Sequence, residues 1–228
     1  MHSMLILVVG SGKLARELLA NLPGDSSSEV IAWANRTDKP QGKPVVVHAG
    51  SGRELAEVMA YCGQTGATLL ELSTGSELRQ REVHFPVVLC PNTNILMLKL
   101  MAMLARSGRD FKNYDKQVIE SHQATKSSTP GTAVSMAEYL GVPPGEIVSV
   151  RDPVEQAENL KIPAEYLSRH AFHRIVIAAA QSSITIETLV FGAAPYAEGV
   201  GQIIAAIRSH PLENRYYDVT ELVERGWV

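Results

Sequence analysis

Met4-Leu5-Ile6-Leu7-Val8-Val9-Gly10-Ser11-Gly12-Lys13-Leu14-Ala15 decides how the rest of the chain is read. The unbroken apolar run from Met4 to Val9 is the pattern of a strand covered on both faces, as in a parallel sheet flanked by helices. It runs through Gly10-x-Gly12-x-x-Ala15 into Arg16-Glu17-Leu18-Leu19-Ala20, a good helical stretch. A strand, this spacing of small residues and a helix together form the dinucleotide fingerprint. Gly10 permits the tight turn, Gly12 lets a pyrophosphate reach the backbone, and Ala15 lets the helix sit close to the strand. Gly10, Ser11, Gly12, Lys13 and Leu14 are therefore candidate cofactor residues.

Working outward, a second strand at Val30 to Ala34 ends in Asn35-Arg36-Thr37. An NAD site usually carries an acid here for the ribose 2′-hydroxyl, whereas an Arg suits a 2′-phosphate. Asn35 and Arg36, with Lys13 in reach of the same region, favour NADPH over NADH. Further strands are expected at Pro44 to His48, Ala67 to Leu72 and Phe85 to Leu89, with helices through Met59 and Tyr61 and near Glu77 to Arg81. The loops at the carboxyl ends of such strands form the ligand crevice, which places Ser73, Thr74 and Gly75 on the nicotinamide side. At Cys90-Pro91-Asn92-Thr93-Asn94 the pattern changes, and a domain boundary is placed near Pro91.

Ile95 to Arg106 predicts a buried or interface helix, with Met97, Met101 and Met103 as packing residues. Tyr114 to Ser121 predicts a strand, Thr132 to Leu140 a helix and Ile147 to Arg151 a short strand. Residues 152–170 read as a polar excursion or flexible loop. Phe172 to Ala180 and Ser183 to Phe191 predict an antiparallel hairpin, Pro195 to Arg208 an amphipathic helix, and Val219 to Arg225 a last one capped by Asp218.

Between strand and helix stands Glu120-Ser121-His122-Gln123-Ala124-Thr125-Lys126-Ser127-Ser128-Thr129-Pro130-Gly131-Thr132-Ala133. No core needs so many hydrogen-bonding side chains in so few residues. A loop rich in Ser and Thr ahead of a helix N-terminus also offers N–H groups to an anion. The reading is that His122 and Lys126 carry the chemistry, that Thr129 to Thr132 hold an acidic substrate, and that Glu120 orients a neighbour. His170 and His173 have no acid or Cys at ligand spacing, so no metal site is expected.

The bulk numbers exclude several classes. The chain has 228 residues, 45% of them hydrophobic, with a formal charge of −3. This length allows one large domain or two small ones, and the charge argues against a dedicated nucleic-acid binder. Two cysteines, Cys62 and Cys90, fit a reducing compartment. No apolar run reaches the roughly 18 residues of a membrane span. The Met4 to Val9 run lacks the basic leader of a signal peptide. A cytoplasmic protein without membrane or nucleic-acid partners is expected.

Over residues 120–133 the sequence resembles the dihydrodipicolinate reductase family, whose signature runs approximately E-x-H-H-x-x-K-x-D-x-P-S-G-T-A. The glycine turn after the first strand is similar too. Ser73-Thr74-Gly75 stands where the family has Thr-Thr-Gly, Asn92 follows the fifth strand, and Met97-Leu98-Lys99-Leu100 matches the first middle-domain helix. The resemblance implies an α/β fold. A Rossmann-type dinucleotide-binding domain (1–91 plus about 195–228) would hold an inserted α+β mixed-sheet substrate-binding and oligomerisation domain (92–194). It implies a tetramer, or a dimer, built through that sheet, and NAD(P)H-dependent reduction of a carboxylated cyclic imine in lysine biosynthesis. His122 matches the family's general acid and Lys126 its catalytic lysine, while Gly131 and Thr132 match the substrate-carboxylate loop, beside Gln123 and Thr129.

The chain departs from the signature at Gln123, at Ser128 and in lacking a Ser before Gly131. A compact member with the usual reaction, a related amino-acid/imino-acid dehydrogenase with another carboxylated substrate, and a non-catalytic nucleotide-binding sensor are the readings to separate.

Overall fold

A computed structural model describes residues 4–22, 28–73, 76–192 and 194–228, with backbone alone at 194 and 195. In chain order the elements are β1 (Met4–Val9), α1 (Lys13–Asn21), β2 (Ser28–Ala32), β3 (Val45–His48), α2 (Leu55–Thr65), β4 (Thr68–Glu71) and β5 (Val87–Leu89). Then come α3 (Ile95–Ser107), β6 (Asp115–His122), α4 (Gly131–Leu140), β7 (Val148–Val150), α5 (Pro153–Glu158), β8 (His170–Ala178) and β9 (Ser183–Phe191). The chain closes with α6 (Ala194–Ser209), β10 (Tyr216–Asp218) and α7 (Val219–Glu224). It divides into two compact units, Met1–Ile95 with Tyr196–Val228, and Leu96–Pro195.

The first unit is built on a six-stranded sheet in the order β10-β5-β4-β3-β1-β2. Every pairing in it is parallel. Leu7, Val8, Val9, Val46, Val47, Leu69, Leu70, Val87 and Val88 are all buried, which is what helices on both faces of a parallel sheet require. Each such side chain contributes about 1.5–3 kcal/mol by leaving water. The order reverses at β1, which has β2 on one side and β3 on the other; such a switch point opens a ligand crevice at the carboxyl ends of the strands.

Three local expectations change. The second strand stops at Ala32, and Trp33–Asn35 form a 3₁₀ turn. Glu77–Gln80 is likewise a 3₁₀ turn, capped by the Ser76 hydroxyl. Sequence reading also missed β10, three residues paired with β5. Asp218 does stand at the start of α7, but it makes no side-chain cap; its carboxylate is taken by Arg79. Within this unit α6 passes close to the segment after β5. A Cβ at Gly199 would lie 1.6 Å from the Thr93 carbonyl oxygen, so only glycine fits.

The second unit carries a four-stranded mixed sheet, β7-β6-β8-β9. β6 runs parallel to β7 and antiparallel to β8, and β8–β9 is the expected hairpin. Val150, Leu160, Ile162 and Phe172 form a core cluster with Ile119, Tyr166, Leu167 and Phe191 packed against it. Residues 152–170 are no flexible loop. Asp152 accepts the N–H groups of Val154 and Glu155, and Pro153 starts α5, a cap and first-turn pairing that favours a helix. In α3, Met97 is buried and Met103 is 44% exposed. No helix among the described residues is long and apolar enough to cross a membrane.

Candidate active site

In the first unit the glycine turn has the geometry a dinucleotide requires. Gly10 has φ +119°, and a Cβ there would meet the Ala49 carbonyl oxygen at 2.8 Å. Gly12 stands at the N-cap of α1 without a side-chain acceptor for the helix N–H groups. A Cβ on Gly12 would enter open space, so its absence keeps a path to those N–H groups open for a pyrophosphate. Ala15, in the first turn of α1, is fully buried. These residues fit a nicotinamide dinucleotide.

A cavity of about 710 Å³ opens beside the turn, lined in part by Leu14, His48, Gly50, Arg53, Ser73 and Arg81. The Ser73 hydroxyl donates to the Gly50 carbonyl at 2.9 Å and its N–H to Glu71 at 2.8 Å. Thr74 and Gly75 lie outside the described residues. Ser11 and Lys13 are exposed at the turn, and the Ser11 carbonyl accepts from Arg16. Asn35 closes the 3₁₀ turn after β2. Asn92 accepts the Asn94 N–H at its side-chain oxygen.

Arg36 already has partners. Its guanidinium lies 4.0 Å from the centre of the Trp33 ring and is ion-paired with Glu57. Sequence reading could not see the carboxylate, because Glu57 comes from α2, across the β-sheet crossover.

In the second unit the alternation of β6 puts Glu120 and His122 on one face, with His173 directly opposite Glu120 on β8. Glu120 is fully buried and is enclosed by donors. His122 Nδ1 lies 2.9 Å from Oε2. Arg151 donates through Nη1 at 3.1 Å and Nη2 at 2.6 Å, and Ser149 through its hydroxyl at 2.5 Å. Burial by itself would raise the Glu120 pKa, but the hydrogen bonds from His122, Arg151 and Ser149, with the Arg151 charge, hold it down at about 2. The anion fixes the proton on Nδ1 of His122 and leaves Nε2 for exchange with a ligand.

The backbone of the loop is held as well. Gln156 on α5 donates to the His122 carbonyl at 2.7 Å, and Arg151 Nε donates to the Lys126 carbonyl at 2.9 Å. Lys126 closes a turn onto Gln123, and among the described residues its ammonium has no hydrogen-bond or ion-pair partner. Thr129 and Gly131 are exposed, with Gln123 and Thr132 half-buried. α4 begins at Gly131, and its N-cap, Pro130, offers no side-chain acceptor to the helix N–H groups. Burial, and then the nearby His122, push the His173 imidazole down to about 4, so it is neutral beside His122. Two further rings stand close by, His173 at 5.8 Å and His170 at 6.5 Å from His122. Ser149, Arg151 and Gln156 were missed from sequence. The Asp152-Pro153 helix start was the signal that could have located α5.

A parallel dinucleotide-type sheet and a mixed sheet bearing a carboxylate-held imidazole define a two-part α/β architecture of the kind found in nicotinamide-dependent enzymes. The family description "Dihydrodipicolinate reductase, C-terminus" matches residues 94–223, more than half of the chain. The chain belongs to the dihydrodipicolinate reductase family. It is 35% identical over 128 residues to probable 4-hydroxy-tetrahydrodipicolinate reductase 1, chloroplastic, of Oryza sativa subsp. japonica, a match spanning 51% of this chain and 37% of that protein. It is 34% identical over 127 residues to 4-hydroxy-tetrahydrodipicolinate reductase 2, chloroplastic, of Arabidopsis thaliana, spanning 51% and 36%. The match thus takes in little more than a third of either relative. The fold is similar to that of dipicolinate-bound dihydrodipicolinate reductase from Paenisporosarcina sp. TG-14, with TM-score 0.68 and 15% identity over 96% of this chain and 99% of that one.

Proposed function

We propose that the protein is an NAD(P)H-dependent reductase of a carboxylated cyclic imine, with dihydrodipicolinate as the first substrate to try. The observation that carries this reading is the His122 imidazole, held at Nδ1 by Glu120, whose pKa its donors lower to about 2, at the head of the loop that bears Lys126 and leads to the N-terminus of α4. The first unit is the dinucleotide-binding domain and the second the substrate and oligomerisation domain. In that reading Gly10 to Leu14, Asn35, Arg36, Ser73 to Gly75 and Asn92 hold the nucleotide.

When bound, the reduced nicotinamide supplies hydride. A conjugated imine that takes hydride then needs one proton, which Nε2–H of His122 delivers while Glu120 stabilises the ring through the change. Lys126 and the α4 N-terminal N–H groups, with Gln123, Thr129 and Thr132 around them, meet the substrate carboxylate and developing negative charge. Arg36 favours NADPH, although the Glu57 carboxylate competes with a 2′-phosphate for it.

A second reading rests on Gln123. A neutral amide grips a dicarboxylate less firmly than a second imidazolium would, which favours a different imino acid with one carboxylate. NADPH oxidation with freshly generated dihydrodipicolinate tests the first reading. Turnover supports it; no turnover alongside activity on another imino acid supports the second. Failure of the protein to bind NADH or NADPH would sink both. Localisation in the cytoplasm and a tetramer or dimer are proposed with the same reading.

A further inference from the structure

His173 carries a buried nitrogen that the reduction chemistry leaves unexplained. It sits on β8 opposite Glu120 of β6 and opposite Thr188 of β9, and it is 2% exposed. Nδ1 lies 3.1 Å from the Thr188 hydroxyl. Nε2 has no partner among the described residues. A buried polar atom in that state is costly, and an apolar side chain of the same shape would avoid the cost.

The strand order fixes where the unpaired nitrogen is turned. β8 stands between β6 and β9. Nδ1 is turned toward Thr188 on β9, so the opposite edge of the ring, Cδ2–Nε2, is turned toward β6. There the His122 ring stands nearly perpendicular, at 76°, with the ring centres 5.8 Å apart. A proton on Nδ1, donated to Thr188, leaves a bare lone pair on Nε2. A proton on Nε2 would instead aim an N–H toward a ring that becomes cationic, and the two would repel. The neighbour therefore selects the first tautomer. His173 also stays uncharged there. Burial first and His122 second push its pKa down to about 4, against an opposing pull from Glu120.

We propose that His173 is a positioning residue for His122: its bare Nε2 is the negative end of a fixed dipole that steadies the His122 imidazole in its charged form, loaded with the proton the reduction consumes. In a dry interior such a dipole acts with little screening. Glu120 supplies the anion that holds Nδ1 of His122, and His173 adds a neutral acceptor from the next strand without burying a second anion. This rests on the reductase reading above, in which His122 is the proton donor. His170, with its ring centre 6.5 Å from that of His122, has no such atom to offer. Its Nδ1 donates to the Tyr166 carbonyl and its Nε2 accepts from the Ser121 hydroxyl.

Urea titrations of wild type, His122→Ala, His173→Phe and the double variant measure the coupling between the two rings without any ligand. Phe keeps a flat ring and removes both nitrogens. The coupling should be about fivefold in the folded-to-unfolded ratio near pH 5.5, where imidazoles gain protons, and absent near pH 8.5. His173→Gln puts an amide oxygen near the place of Nε2 and should keep part of it. No coupling at either pH would overturn the proposal. Equal coupling at both would overturn it too, since the rings would then only pack. In NADPH oxidation with freshly generated dihydrodipicolinate, His173→Phe should lower kcat about tenfold with KM unchanged, short of the roughly 10² that loss of a direct donor costs. His173→Gln should restore part of that rate. A raised KM with kcat intact would overturn the proposal by placing His173 among the substrate contacts. Wild-type protein that shows the coupling but reduces no imino acid would refute the reductase reading and leave the support of His122 by His173 standing.

Discussion

Each unit holds a histidine whose Nδ1 rests on a buried glutamate, and the two pairs are built for different work. Glu120 receives Arg151 and Ser149 besides His122, so its charge is compensated whether or not His122 carries an extra proton. Among the described residues Glu71 bonds only His48 and the Ser73 N–H, without the second cation that Arg151 gives Glu120. His122 is also 15% exposed at its side chain, whereas His48 is sealed at 0%. An imidazole next to an independently neutralised carboxylate and open to ligand can cycle a proton. One tied to a lone carboxylate is better suited to holding a fixed hydrogen bond.

The sharpest way to break this comparison is at Glu120. Glu120→Gln leaves Arg151 without its anion and should lower stability by about 2–3 kcal/mol near neutral pH, somewhat below a fully buried pair because Arg151 is 21% exposed. The folded-state pKa of about 2 lies below the ordinary 4.5. The stability Glu120 contributes is therefore fully present above about 4.5 and is lost as pH falls toward 2. Urea titrations should show the gap between wild type and variant closing across that window; a gap independent of pH would mean the network does not hold the charge.

Next in size is His122→Ala, which should lower kcat by about 10² while denaturation midpoints move little, because Glu120 keeps Arg151 and Ser149. An unchanged kcat would remove His122 from the proton-donating role. Gln156→Ala should cost about 1–2 kcal/mol through the unpaired His122 carbonyl and lower kcat several-fold by loosening the end of β6. Stability lost with kcat intact would make Gln156 a purely structural tie.

The comparison also marks what the sequence could show. The Met4 to Val9 run and the Gly10-x-Gly12-x-x-Ala15 turn are local patterns, and local patterns announced the parallel sheet. His122 and Lys126 stood out as candidates because their neighbours in sequence are polar. The groups around them were not, since Ser149, Arg151 and Gln156 arrive from β7, the residue after it and α5, some 30 residues away in the chain, and β10 is too short to show a period. His48 ended its expected strand and Glu71 stood inside its own, each a single polar residue with no visible partner until the parallel register brings the two side by side.

Arg36 is where sequence and structure pull in different directions, and it gives the smallest expected effect. The guanidinium lies against Trp33, which holds it after β2 where a 2′-phosphate would fall, but Glu57 occupies it. Glu57 is 57% exposed, so its pairing is worth about 1 kcal/mol or less. A phosphate can then displace it at a modest cost. Glu57→Gln removes the competitor and its repulsion, and should tighten NADPH binding about two- to fivefold with NADH unchanged. The difference should shrink in high salt, as an exposed charge effect must. Equal NADPH affinities in wild type and variant would mean that Arg36 does not read the 2′-phosphate and serves only to brace Trp33 against α2.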